Sequence, residues 1–350
     1  MAFRGICIVA ILLLLAFPIC GAAADSALNR PILGYAAQVS PPELRAILGA
    51  PGAAVFSDPL SLPRRTRRLR LSPTQQYALI EREDEAPAVL GLSGATVGQA
   101  IAITGALPTA DIAAFSPSGH SAVLFSAGSG RLQVIGGLPL TPQIVQDLDA
   151  GLLPDTPKAV AVSDDAGSVL LSSATMVYLL SPNGSTNTIM NVANVASLAF
   201  FPNSGDAAIG DRGTGSVYVL QNSAGILAAR LIATALAGVG EMRASGNGQT
   251  LYVTNPGGHC IWAVGVPGGE IQAFNLPVRS VKIDPLRNTD TFLISSEPGQ
   301  PGWIFFRQGD DARTVFVPAV TRDLRGNPER TGHMEFLGRP KREGFVWYVR

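Results

Sequence analysis

Three cations stand where convergence could do chemistry. Arg70, Arg243 and Lys282 each lie two residues before a turn rich in Ser, Pro, Asp, Asn or Gly that ends a short strand-like run. Guanidinium and ammonium groups brought together there would hold a carboxylate or phosphate through charge-assisted hydrogen bonds. The residues one and three before the same turns are apolar: Leu71 and Leu69, Ala244 and Met242, Ile283 and Val281. Alternation along a strand therefore puts the cations on the other side from the apolar set. The competing arrangement is a channel of water and internally paired charges, for example Arg243 with Glu241 or Asp284.

Other chemistry-bearing residues are scattered. His120, His259 and His333 each sit at a turn or strand start, with no second His, Cys or paired carboxylate at metal spacing. They read as solvated turn residues, and no metal is expected. The run Glu81-Arg-Glu-Asp-Glu85, with Asp206 and Asp211 in comparable places further on, could offer oxygen ligands to calcium only if several loops met. It lacks a spaced Asp-x-Asp-x-Asp-Gly pattern and reads as a solvated charge run. There is no Gly-x-Ser-x-Gly elbow and no Walker-type phosphate loop. The glycine-rich pieces 127–130 and 213–215 read as hairpin connections. The sequence thus assigns no catalytic residue and no cofactor.

The elements that must position these cations recur. Six runs end at a turn anchor: Arg68-Leu-Arg-Leu-Ser72, Ile112-Ala-Ala-Phe-Ser116, Ala159-Val-Ala-Val-Ser163, Leu198-Ala-Phe-Phe-Pro202, Glu241-Met-Arg-Ala-Ser245 and Ser280-Val-Lys-Ile-Asp284. The anchors are 44, 47, 39, 43 and 39 residues apart, a period that suits a four-stranded propeller blade. Each copy continues with a second apolar run (Tyr77-Ala-Leu-Ile80, Leu251-Tyr-Val-Thr254), a polar turn and a third run (Ser216-Val-Tyr-Val-Leu220). Helical arrays of similar period fail because the runs lack i, i+3, i+4, i+7 spacing. The only helical pieces expected are short, 43–48 and 142–148. Segment 31–60 offers two strand-like runs, and two more, His333-Met-Glu-Phe-Leu337 and Gly344-Phe-Val-Trp-Tyr-Val-Arg350, lie near the C-terminus. Two plus two would make a seventh blade that closes the ring. The expected fold is an all-β, seven-bladed β-propeller of four-stranded antiparallel blades, with six blades and capping termini as the alternative.

One copy, residues 244–264, carries a fuller signature: Ser-Gly-Asn-Gly turn, Gln249-Thr-Leu-Tyr-Val-Thr254, Pro-Gly-Gly turn, Cys260-Ile-Trp-Ala-Val264. Gly248-Gln-Thr-Leu-Tyr-Val-Thr-Asn255 resembles the repeat of the YVTN family of β-propellers, in which a Ser-Pro-Asp-Gly-like turn precedes a Leu-Tyr-Val-Thr-Asn strand. The resemblance implies a propeller and names neither substrate nor partner.

Residues 1–24 read as a secretory signal: Arg4, an apolar run 6–17, Pro18, and Ala22-Ala-Ala24 before Asp25. The run is short for a bilayer span. A signal anchor is the alternative, and a lipoprotein cysteine at Cys20 would need a small residue before it, where Ile19 stands. Cleavage leaves Cys260 alone, so no internal disulfide can form. With 26 basic and 26 acidic residues in 350, no net field draws the chain to nucleic acid or an anionic membrane. Apolar residues at 47% with 38 glycines and 26 prolines describe a chain that buries much and turns often. The function expected is an exported, monomeric, non-catalytic propeller, secreted or periplasmic, that binds a protein or an anionic small molecule in residues 25–350. The alternative is a propeller enzyme of lactonase or dehydrogenase type, with its site at the central channel.

Overall fold

The computed structural model describes residues 31–151, 153–223, 226–279, 282–294 and 301–319. Among these, every regular element is a β-strand, and no helix is long and apolar enough to cross a membrane. The strands form a seven-bladed β-propeller. Blades one to six span 66–102, 112–149, 159–191, 195–233, 242–275 and 283–317, each an antiparallel sheet of four strands in sequence order. The seventh sheet comes from the N-terminal side, with strands Ile32–Val39, Pro42–Leu48 and Val55–Pro59.

The two segments expected to be helical are strands. Residues 43–48 lie in Pro42–Leu48, and of 142–148 all but Pro142 lie in Gln143–Asp149. The latter alternates exposed and half-buried positions residue by residue, a period of two that only a strand presents to a flat neighbour. The N-terminal share of blade seven is also larger than two strands, because Val55–Pro59 pairs with Pro42–Leu48. The C-terminal runs 333–337 and 344–350 lie outside the described residues.

The repeat is built on one turn. At the end of each first strand a backbone N–H reaches the carbonyl five residues on: Ser72 to Tyr77, Ser116 to Ser121, Ser163 to Ser168, Phe201 to Asp206, Ser245 to Thr250, Leu286 to Thr291, all at 2.8–3.0 Å. Where the anchor is serine, its Oγ accepts the N–H of that fifth residue, as Thr250 N to Ser245 Oγ at 3.0 Å and Ser168 N to Ser163 Oγ at 2.9 Å. The third residue after each serine has positive φ: Gln75, Gly119, Ala166 and Gly248. Blades four and six lack the serine and put their positive φ at Asn203 and Asp290 instead. Their true anchors are Phe201 and Leu286. The expected anchors Pro202 and Asp284 are displaced by one and two residues.

Side chains that alternate along each strand commit to different neighbours. Val123 and Phe125 pack against blade three, while Ala122 and Leu124 pack against blade one. Both faces of a blade are therefore apolar, as the sequence showed. Seven such clusters fill the seven gaps between blades, including blade six on seven (Leu286, Leu293 and Val317 with Leu33, Ile47 and Phe56) and blade seven on one (Tyr35 and Leu44 with Leu69 and Ile80). The ring is closed by the described residues alone. A polar clasp fixes that closure. Buried Gln75 of blade one accepts the Tyr35 N–H of blade seven at 2.7 Å and donates to the Pro285 carbonyl of blade six at 2.7 Å. Arg287 donates to the Gln75 carbonyl at 3.2 Å and lies over the Tyr35 ring.

Candidate functional site: the central channel

The first strand of every blade lines one central cavity of about 680 Å³, within the usual range for ligand pockets. Arg70, Arg243 and Lys282 all line it. The corrected turn anchors change their relation. Two residues before the anchors the ring reads Arg70, Ala114, Ala161, Ala199, Arg243 and Asp284, with Ala37 lining the cavity from blade seven. Four residues before, it reads Arg68, Ile112, Ala159, Ser197, Glu241 and Lys282. Lys282 thus stands one level away from Arg70 and Arg243. Phe200 borders the cavity and is packed into the cluster between blades three and four.

The channel has two unlike walls. Blades two, three and four contribute Ile112, Ala114, Ala159, Ala161, Ser197 and Ala199, short side chains that leave space. Blades five, six and one contribute most of the charges: Arg70, Arg243, Lys282, Glu241 and Asp284 are in ion pairs, while Arg287 of blade six is spent on the Gln75 and Leu92 carbonyls and on Tyr35. Arg243 bridges Glu241 at 2.6 Å, and Glu241 also accepts the Ile283 N–H at 3.1 Å. Lys282 bridges Asp284 at 2.8 Å. Arg70 donates to Glu81, which lies behind it on the second strand of blade one and is 3% exposed. The structure therefore brings the three cations to one cavity and places a carboxylate beside each.

Two features tip the balance toward positive charge. Glu81 is shared, with Arg68 3.7 Å from its other oxygen. Arg68 also donates to the Ala110 carbonyl at 2.8 Å. Lys158, exposed at the start of the first strand of blade three, lines the cavity with no carboxylate in bridging distance among the described residues. Neither Arg68 nor Lys158 was singled out by the sequence as a ligand group. The signal for the first was its direct cross-strand partner, Glu81.

The remaining sequence candidates have structural roles. In the acidic run Glu81 serves the arginines, Glu83 bridges Arg67, and Glu85 bridges Arg82. Asp211, 1% exposed, accepts the N–H groups of Ala193, Asn194 and Gly213 and the Thr214 hydroxyl at 2.8–3.0 Å. Burial pushes its pKa up, but these donors outweigh burial and hold it below the usual carboxylate value. Asp206 accepts the Asn222 N–H at 2.8 Å. His120 and His259 are exposed at turns, and His333 lies outside the described residues. Half-buried Cys260 packs between blades four and five.

A second, more open cavity of about 870 Å³ lies over the turns of blades two and three, beside Asp164 and Asp165. Asp164 accepts the Ser118 N–H at 2.7 Å and the Asn203 N–H at 2.9 Å, stitching the turns of blades two, three and four. Burial raises its pKa, and the bonds from Ser118, Asn203 and Ser116 hold it below the ordinary value. Asp165 caps its own turn through Ser163 and Gly167. These acids build the rim and are already occupied.

The fold places the chain beside known propeller-like structures. A functionally unknown protein from Desulfotomaculum acetoxidans aligns with a TM-score of 0.56 and 12% identity over 83% of this chain and all of its own. Kluyveromyces lactis Hsv2 aligns with a TM-score of 0.52 and 11% identity over 69% of this chain and 74% of its own. No family model and no curated protein matches the sequence. What the chain shares with these structures is the propeller architecture, and the chemistry of its channel must be read from its own residues.

Proposed function

We propose that this protein is an exported, non-catalytic binding module of the YVTN-like repeat type, and that its central channel receives the anionic group of a small ligand or partner protein. The observation that carries this reading is the composition of one cavity: Arg70, Arg243 and Lys282 on one wall, alanines on the other. An enzyme of lactonase or dehydrogenase type would need free acids or histidines converging at a channel mouth. Here Glu81, Glu241 and Asp284 are spent on ion pairs, and the one other acid of the described lining, Asp290, has no second free acid or histidine beside it there, which favours recognition over chemistry. Export is supported by the charged, apolar and small-residue order of residues 1–24.

Arg243→Ala tests the reading, with benzoate and inorganic phosphate as probes in calorimetry. The substitution removes a cation and leaves Glu241 unpaired toward the cavity, so anion affinity falls several-fold at low salt and the loss shrinks as salt is added. Unchanged affinity in the variant, or no anion bound by the native protein, overturns it.

A further inference from the structure

We infer that the anion is held at one mouth of the channel, by Arg68 and Arg70 of blade one and Lys158 of blade three, and that it is a carboxylate on a compact apolar body. The inference rests on the reading of the channel as a binding site and locates the ligand within it. Its basis is where positive charge is left over. Arg243 with Glu241 and Lys282 with Asp284 are one-to-one pairs. On blade one, two guanidiniums share the single carboxylate of Glu81. Lys158 has no acidic partner among the described residues. A guest anion meets one shared carboxylate at Arg68 and Arg70 and none at Lys158, whereas at the other two cations it must compete with a carboxylate bound one to one.

Position agrees with charge. Arg68 stands four residues before its turn anchor and Lys158 five before its own, so the repeat sets both toward the end where the first strands begin. They flank blade two, whose Ile112 and Ala114 line the cavity between them, and Ala159 and Ala161 continue that surface on blade three. Arg70 keeps one guanidinium edge on Glu81 and the Ala110 carbonyl. Arg68 has a side chain 43% exposed and retains donors beyond its bond to Ala110. A carboxylate suits paired N–H donors of this kind. The short apolar side chains beside it make room for a body of a few carbon atoms and offer no hydrogen bonds, so a fully polar anion gains less there.

The test compares benzoate, hexanoate and inorganic phosphate on the full chain by calorimetry. Arg68→Gln and Lys158→Gln are the variants, since Lys158 is exposed and Arg68 half-exposed, and the removal of either leaves Glu81 paired with Arg70. Each is expected to weaken benzoate binding about tenfold, while Arg67→Gln, which removes an equal charge bridged to Glu83 on the same strand, stays within about twofold. Phosphate is expected to bind at least tenfold more weakly than benzoate. If Arg68→Gln and Lys158→Gln bind like the native protein while Arg243→Ala is impaired, this placement falls and the channel reading stands. If the native protein binds none of the three anions, both fall. An Arg67→Gln loss equal to that of Arg68→Gln also overturns the placement, because the effect is then a general field. Phosphate binding as tightly as benzoate overturns the apolar body.

Discussion

Glu81→Gln separates the two things that Glu81 does, because it should move stability and binding in opposite directions. The carboxylate is buried against Arg70 and Arg68. Glutamine keeps its shape and one acceptor but removes the charge that two guanidiniums share. Breaking a fully buried pair costs about 3–5 kcal/mol, and a charge-assisted bond about 1.5–3. Arg70 is 24% and Arg68 43% exposed in their side chains, so water takes over part of the loss. The expected destabilisation is therefore about 2 kcal/mol, read as a melting temperature lower by about 3 °C for a domain of this size. The local charge on blade one meanwhile rises by one unit. At about 6 Å, in an effective dielectric between protein surface and water, that unit is worth about 1 kcal/mol to an anion, or about fivefold in Kd. The assays are urea denaturation and benzoate titration on the same preparation. A variant that loses stability and also binds benzoate more weakly refutes the reasoning, since Glu81 would then be holding the arginines in the binding geometry and not competing with the guest.

Two further perturbations probe the frame. Asp211→Asn removes a charge that accepts three backbone N–H groups and a hydroxyl, and should cost about 2–3 kcal/mol at neutral pH in denaturant titration. Because the folded pKa of Asp211 is depressed, the native advantage is full above the unfolded value of about 4 and is lost as pH falls through the lower folded value. A gap between native and variant that persists unchanged at pH 2 contradicts that assignment. Deleting 344–350, one of the two C-terminal runs that the sequence reading assigns to blade seven, should lower the melting temperature by about 3 °C or more without opening the ring. The blade six and blade seven packing survives the deletion, and an unchanged melting temperature argues against that placement of the run.

How far the chain could be read from its sequence followed the turns. Where the anchor is a serine, as at Ser72, Ser116, Ser163 and Ser245, the hydroxyl closes the loop and the strand before it aligns without ambiguity. Blades four and six close the same five-residue loop from Phe201 and Leu286, whose side chains are packed between blades and carry no turn signature. Pro202 and Asp284 look more like turn residues, so the register slipped there. The slip put Lys282 on the level of Arg70 and hid Asp284, its own partner, in the position of an anchor. Blade number survived because a slip of one or two residues does not change a period near forty. The pairing of Arg70 was hidden for another reason. Glu81 lies on the next strand, opposite Arg68, and as the first residue of an acidic run it looked solvated.

The two walls of the channel differ in how tightly the fold constrains them. Ala114 and Ala159 pack at the margins of the inter-blade clusters and Ala161 lies within one. Their small size is thus a demand of the core as well as a feature of the cavity. Enlarging them costs overpacking in blades two to four. Arg68, Arg70, Glu241, Arg243, Lys282 and Asp284 belong to none of the seven clusters. Arg68 and Arg70 are held by Glu81 and the Ala110 carbonyl, and the other four by each other and by the Ile283 backbone. Changing them in balanced pairs leaves the core untouched and redraws the charge that a guest meets. The apolar wall therefore fixes how much room the channel has. The charged wall can be varied almost independently to decide what occupies it.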